Sequence, residues 1–149
     1  MKFSCLRIFL LCMIFLPGPQ CKSTRPVQSG FYPEKELIID YDMELSEETD
    51  NNFEIYDVSM HDGKLYIYVR YRAGEVLDDF ELVTNGLLTK TYPPLVPLVL
   101  KRNPSGTEGR KLVMEELIFD VSKARQWADD QVIFRLLGYP NVIIYRLRQ

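Results

Sequence analysis

From Leu37 onward the chain runs in short apolar stretches separated by turn residues, the pattern of an antiparallel sheet protein. The clearest stretch is 64–72, where Leu65, Ile67, Val69 and Tyr71 alternate with Tyr66, Tyr68, Arg70 and Arg72. A period of two places the first set on one side of a strand and the second on the other. This strand therefore has an apolar face and a mixed, half-exposed one. Residues 53–60 precede it across His61-Asp62-Gly63, and Asp-Gly tolerates the positive φ that a tight hairpin turn demands. Residues 37–41, 80–83, 95–100, 112–121, 131–137 and 142–147 complete the set of predicted strands. Pro97 lies inside one of them and predicts an edge strand or a bulge, because proline donates nothing to a ladder. Ser122 is a candidate cap for a short helical turn through Trp127. The expected fold class is all-β, with strands enough for two facing antiparallel sheets and one short helical turn. The alternation is equally compatible with a small closed barrel.

The first residues follow a different pattern. Lys2 and Arg7 precede the apolar run 8–16, which ends at Pro17-Gly18-Pro19. That is the layout of a signal peptide, expected over residues 1–23, and the run is too short for a permanent bilayer span. Cys21 is the candidate for lipidation after cleavage, although Gln20 and Gly18 stand where a small residue and a Leu-like residue are wanted. Residues 24–35 contain two Pro and a Gly without any period and read as a flexible linker. Residues 36–149 then form a single domain. The protein is expected to be exported: secreted, periplasmic or held in the cell envelope, with membrane attachment only if Cys21 carries a lipid.

Composition narrows the chemistry. All three Cys (Cys5, Cys12 and Cys21) fall in the leader, so the domain holds no thiol for a disulfide, an iron–sulfur centre or a nucleophile. Removing Lys2, Arg7 and Lys22 from 18 bases leaves 15 against 21 acids, a net charge of −6. Nucleic acid is a poor partner for such a chain, since that affinity rests on bases neutralising phosphates. The sequence holds no phosphate-binding glycine loop, HExxH, CxxC or serine-elbow motif. No cofactor is expected.

The remaining candidates are few. Asp40, Asp42 and Glu44 alternate like calcium ligands, but Leu45 and Asn51 stand where an EF-type loop needs Gly and Glu. Glu75 and Asp78 are a second acidic pair. If they meet, repulsion would raise one pKa or attract a cation, which makes them weak candidates for metal binding or for acid and base in a hydrolase. His61, beside the hairpin turn, has no second His or Cys to complete a metal set or triad. Trp127 is expected to plug the core. The mixed face Tyr66, Tyr68, Arg70 and Arg72 combines planar area with hydrogen bonding and cation–π capacity, the chemistry of an interaction surface. Cross-strand pairing within an ordinary sheet uses the same residues.

Val58, the stretch from Gly63 to Gly74, Phe80-Glu81-Leu82, Pro93-Pro94, Leu98 and the stretch from Leu117 to Ser122 together resemble a family of small exported bacterial β-sandwich proteins related to the C-terminal domain of NigD-like proteins. The resemblance covers residues 53–147 and implies an immunoglobulin-like sandwich behind a signal peptide, in a group of largely unassigned role. Members with the fuller pattern carry Gly-Gly-Cys and a nearby His before the Phe-Glu-Leu strand; Ala73-Gly74-Glu75 and Asp78 stand there instead. The functional expectation is a non-enzymatic secreted or envelope-associated interaction module for an unidentified protein or glycan. The alternatives are a carboxylate-dependent hydrolase using Glu75 and Asp78, and a structural subunit of an oligomeric surface assembly.

Overall fold

A computed structural model describes residues 33–45, 52–106 and 109–147. The expected signal peptide, Cys21 and residues 24–32 of the expected linker lie outside the described residues. Nine strands and one 3-10 turn follow in order: β1 (Lys35–Glu36), β2 (Ile38–Ile39), β3 (Phe53–His61), β4 (Lys64–Ala73), β5 (Asp79–Thr84), β6 (Leu95–Asn103), β7 (Lys111–Asp120), the turn Ser122–Trp127, β8 (Gln131–Leu136) and β9 (Ile143–Arg146). One sheet has the order β1-β7-β4-β3 and the other β2-β5-β6-β8-β9. Among the described residues no strand pair joins the two sheets, so the domain is a sandwich and not a closed barrel.

The alternation seen in the sequence becomes the core. Leu65, Ile67 and Val69 of β4 are fully buried, facing Phe80 and Leu82 of β5, Leu98 of β6 and Phe134 of β8 across one apolar cluster. Each such side chain contributes about 2 kcal/mol of transfer free energy. Asp62 (φ 49°) and Gly63 (φ 76°) make the expected hairpin turn between β3 and β4. The pairings β3–β4, β4–β7, β5–β6 and β8–β9 are antiparallel. The pairings β1–β7, β2–β5 and β6–β8 are parallel, so the sandwich is mostly, not wholly, antiparallel.

Three local expectations are corrected. The predicted strand 37–41 is two short strands in different sheets. Lys35 and Glu36 pair with Phe119 and Asp120, whereas Ile38 and Ile39 pair with Val83 and Thr84. Leu37, fully buried between them, donates its N–H to Asp120 O at 3.0 Å, and Asp40 N–H reaches Thr84 O at 2.8 Å. The chain thus steps from one sheet to the other about a single core residue, and β1 includes Lys35, the last residue of the expected linker.

Pro97 does not mark an edge, since β6 lies between β5 and β8. Pro94 O and Leu98 O accept from Ile133 and Leu137, which points the even-numbered residues of this stretch toward β8. The Pro97 nitrogen therefore faces the other side, where pairing with β5 stops at Val83 opposite Val99. No ladder bond is lost there. Nor does Ser122 cap the 3-10 turn, whose first residue it is: the turn has no side-chain cap, and the Ser122 N–H donates to Asp120 Oδ1 at 2.7 Å. Hydrogen bonds from the Ser122 side chain first, and from its backbone N–H second, hold the Asp120 carboxyl below its ordinary pKa.

Candidate functional site

The candidate interaction face is the outer side of the sheet β1-β7-β4-β3. Register fixes its layout: Arg72 is opposite Leu112, Arg70 is between Glu54 and Met114, Tyr68 is between Asp57 and Glu116, and Tyr66 is between Ser59 and Ile118. A bulge between Ile55 and Asp57 turns both Tyr56 and Asp57 outward while Val58 returns to the core side. The result is a row of exposed apolar side chains, with Tyr56 60%, Leu112 59% and Met114 62% accessible, set among charges.

The predicted stripe is thus one continuous face, and two of its members have partners within it. The Arg70 guanidinium is paired with Glu54 through Nη2, with Nε also donating to Oε2 at 3.1 Å. A hydrogen bond to Glu116, followed by partial burial, raises the Tyr68 hydroxyl above its ordinary pKa. Such exposed cross-strand pairs contribute less than about 1 kcal/mol each, but they hold the rings and guanidinium in place.

The acidic pair behaves otherwise than expected. Glu75 is exposed, and no hydrogen bond or ion pair links it to Asp78. The Asp78 side chain, 5% accessible, turns inward to Arg102, whose own side chain is 7% accessible. Arg102 Nε donates to Asp78 Oδ2 at 2.7 Å, and Ser105 N–H donates to Oδ1 at 2.9 Å. The remaining guanidinium nitrogens reach Asn52 O and Arg72 O at 2.7 Å each, and the group lies 4.9 Å from the centre of the Tyr71 ring. Tyr71 in turn donates its hydroxyl to Glu115 Oε2 at 2.6 Å, both residues being buried. Burial raises the Glu115 carboxyl above its usual range, and burial followed by the Glu115 contact raises the Tyr71 hydroxyl.

This polar array was missed at the level of sequence, although a signal for it exists. Glu115 falls in phase with Leu117 and Phe119 in β7, and Arg102 in phase with Val96, Leu98 and Leu100 in β6. A charge in a core-facing position requires an internal partner. Beside the array, a cavity of about 190 Å³ opens between β5 and β7, walled by Leu77, Phe80, Leu117 and Phe119. Lys35, also in its lining, pairs with Asp79 and donates to Phe80 O at 2.7 Å. The acids of this region are thus engaged by protein donors.

The other candidates are accounted for locally. Asp40 Oδ1 accepts from Asp42 N–H at 3.2 Å in an exposed turn, and most of the loop that would complete a calcium site lies outside the described residues. His61 is exposed and meets the Tyr66 ring edge-on at 6.0 Å. Trp127 packs, partly buried, against the core. Among the described residues there is no group of three or more His, Cys, Asp or Glu placed to hold a metal ion, and no helix is long and apolar enough to cross a membrane.

No protein-family model matches the chain, and no curated protein does. Among solved structures, a protein of unknown function, DUF1344, from Bacteroides vulgatus aligns at 17% identity with a TM-score of 0.49, covering 79% of this chain and 58% of that one. A putative toxin-related protein from Parabacteroides distasonis aligns at 13% identity with a TM-score of 0.43, covering 77% and 60%. This chain spans about three fifths of the length of either structure. Neither is described as NigD-like. What stands of the resemblance is its coarser part, a small two-sheet β-sandwich domain of unassigned function.

Proposed function

We propose that the domain is a non-enzymatic, exported interaction module that presents the outer face of the sheet β1-β7-β4-β3 to a protein partner. The observation that carries this reading is the interleaving on one face of exposed Tyr56, Leu112 and Met114 with Tyr66, Tyr68, Arg70 and Arg72. Apolar contact area is thereby surrounded by oriented polar groups, the arrangement from which protein interfaces draw their anchors. The leader supports export. The hydrolase alternative asks Asp78 for an oxygen free to work on substrate, and both of its oxygens already accept from Arg102 and Ser105.

The test is capture. Chemical cross-linking on producing cells, followed by mass spectrometry, is compared between the parent protein and a Tyr66→Ala/Tyr68→Ala/Arg70→Ala variant whose thermal unfolding shows an intact fold. Loss of a discrete cross-linked protein in the variant is expected. Unchanged capture overturns the assignment of this face.

A further inference from the structure

The loop that joins β5 to β6, residues 85–94, stands at the end of the sandwich where β2 also finishes, since Ile39 pairs with Thr84. Its base is buried: Thr84, Asn85 and Pro94 are closed off from solvent. Its tip is the reverse. Leu87 is 68% and Tyr92 79% accessible, Leu88 is exposed between them, and Tyr41, 72% accessible, joins them from the segment after β2. The two segments touch, because a Cβ at Gly86 would lie 2.8 Å from the Tyr41 ring. Glycine there serves both this approach and a φ of 69°.

Much of the loop's hydrogen bonding is spent within the protein. Gly86 N–H donates to Thr84 Oγ1 at 3.2 Å and Leu87 N–H to Asn85 Oδ1 at 3.1 Å. Across the loop, Thr89 N–H reaches Leu95 O at 3.2 Å, and Leu95 N–H returns to Thr89 Oγ1 at 2.9 Å. The Thr91 hydroxyl lies 2.6 Å from that of Thr89 and donates to Pro93 O at 3.2 Å, while Tyr92 donates its hydroxyl to Asp130 Oδ2 at 2.7 Å. Pro93 and Pro94 carry no N–H at all. Polar groups paired in this way lose little when water is withdrawn from around them. Between Glu81 and Lys101 the only charge is Lys90, whose long stem lets its ammonium stay in water beside an apolar layer.

We propose that this loop tip docks the domain on a lipid surface, with Leu87, Leu88, Tyr41 and Tyr92 entering the interfacial layer and Lys90 held at headgroup level. Leucines beside tyrosines and a single lysine are the composition of an interfacial anchor. A protein partner would draw on hydrogen bonds that the loop has largely committed to itself, whereas a lipid layer asks only for apolar area. The expected leader, which carries a chain across a membrane, brings such a surface within reach. Flanking charges are mixed: Asp40 and Asp42 follow β2, and Asp129, Asp130 and Arg146 lie by the start of β8. The tip thus has no excess of positive charge, and the surface it fits is one of zwitterionic headgroups. The loop joins strands of the sheet opposite to the interaction face proposed above, and the two readings stand or fall separately.

The apolar run 8–16 of the full chain can itself attach to lipid, so the test reads where the tip sits and not whether the chain binds. Leu87→Trp is introduced into the full chain in a Trp127→Phe background, and its fluorescence is recorded with phosphatidylcholine vesicles whose acyl chains are plain or brominated. Cooperative thermal unfolding of each variant establishes that it is folded. A tip lying about 5–10 Å into the headgroup boundary gives blue-shifted emission that brominated lipid quenches. Adding Leu88→Asp should raise the lipid concentration needed for half-maximal quenching roughly tenfold or more. Val142→Trp in the same background, at an exposed position beyond the other end of β9, should show neither shift nor quenching. Unshifted emission from Leu87→Trp, equal quenching in Val142→Trp, or quenching undiminished by Leu88→Asp overturns the proposal.

Discussion

Replacing Asp78 with alanine should destabilise the domain by about 4 kcal/mol. The Asp78 and Arg102 side chains are 5% and 7% accessible, so removing the carboxylate strands a cation that water cannot reach. Breaking a buried ion pair in this way costs about 3–5 kcal/mol. Here the lower end applies, because Arg102 keeps Asn52 O, Arg72 O and the Tyr71 ring as neutral partners. The Ser105 N–H loses its acceptor as well, for about 1 kcal/mol more. With a urea dependence of about 1.5 kcal/mol per molar, the unfolding midpoint falls by roughly 2.7 M, and the loss is a large fraction of the stability a domain of this size has. Trp127 is the single tryptophan and packs against the core, so its fluorescence reports the transition. The cycle is completed with Arg102→Met and the double variant, in which neither charge is left alone. A loss below about 1 kcal/mol in Asp78→Ala, or strictly additive losses around the cycle, would refute the reasoning.

Two further outcomes are expected. Leu37→Ala, at the point where the chain crosses between sheets, should cost about 3 kcal/mol by the same urea assay, since the side chain is fully buried; a loss under about 1 kcal/mol would mean that the crossing does not depend on it. Glu115 titrates above its ordinary 4.5 because it is buried, so the folded state holds its proton more tightly than the unfolded chain does. Its contribution is fully present below that ordinary value and is lost as pH rises through the raised one. Glu115→Gln should therefore gain stability relative to the parent as pH is raised from about 4 toward 8, and a difference independent of pH would contradict the buried carboxyl.

Much of the fold is legible in local pattern. Side-chain direction in a strand repeats every two residues, so Leu65, Ile67 and Val69 declare a core face and Tyr66, Tyr68 and Arg70 an outer one without reference to any distant residue. The Asp62-Gly63 turn is equally local, because the positive φ it needs is a property of those residue types. The stripe became a recognisable face only when register set Leu112 and Met114 of β7, and Tyr56 from a bulge in β3, beside it. Its apolar members come from segments whose own sequences give no reason to single them out.

Alternation and turn chemistry thus determined the strands of β3 to β9, their core-facing residues and the all-β class, since each depends on a few neighbouring residues. Tertiary structure decided what depends on pairing across long stretches of chain. It split 37–41 between two sheets about Leu37, placed Pro97 in an inner strand with its nitrogen turned to an unpaired side, and made three of the pairings parallel. It gave Asp78 to Arg102 instead of to Glu75, and it set Tyr41 against Gly86 at one end of the sandwich. The physical reason is common to these cases: a strand's two faces follow from its own residues, whereas the partner of a backbone edge or a buried charge is chosen by competition among all segments that could reach it.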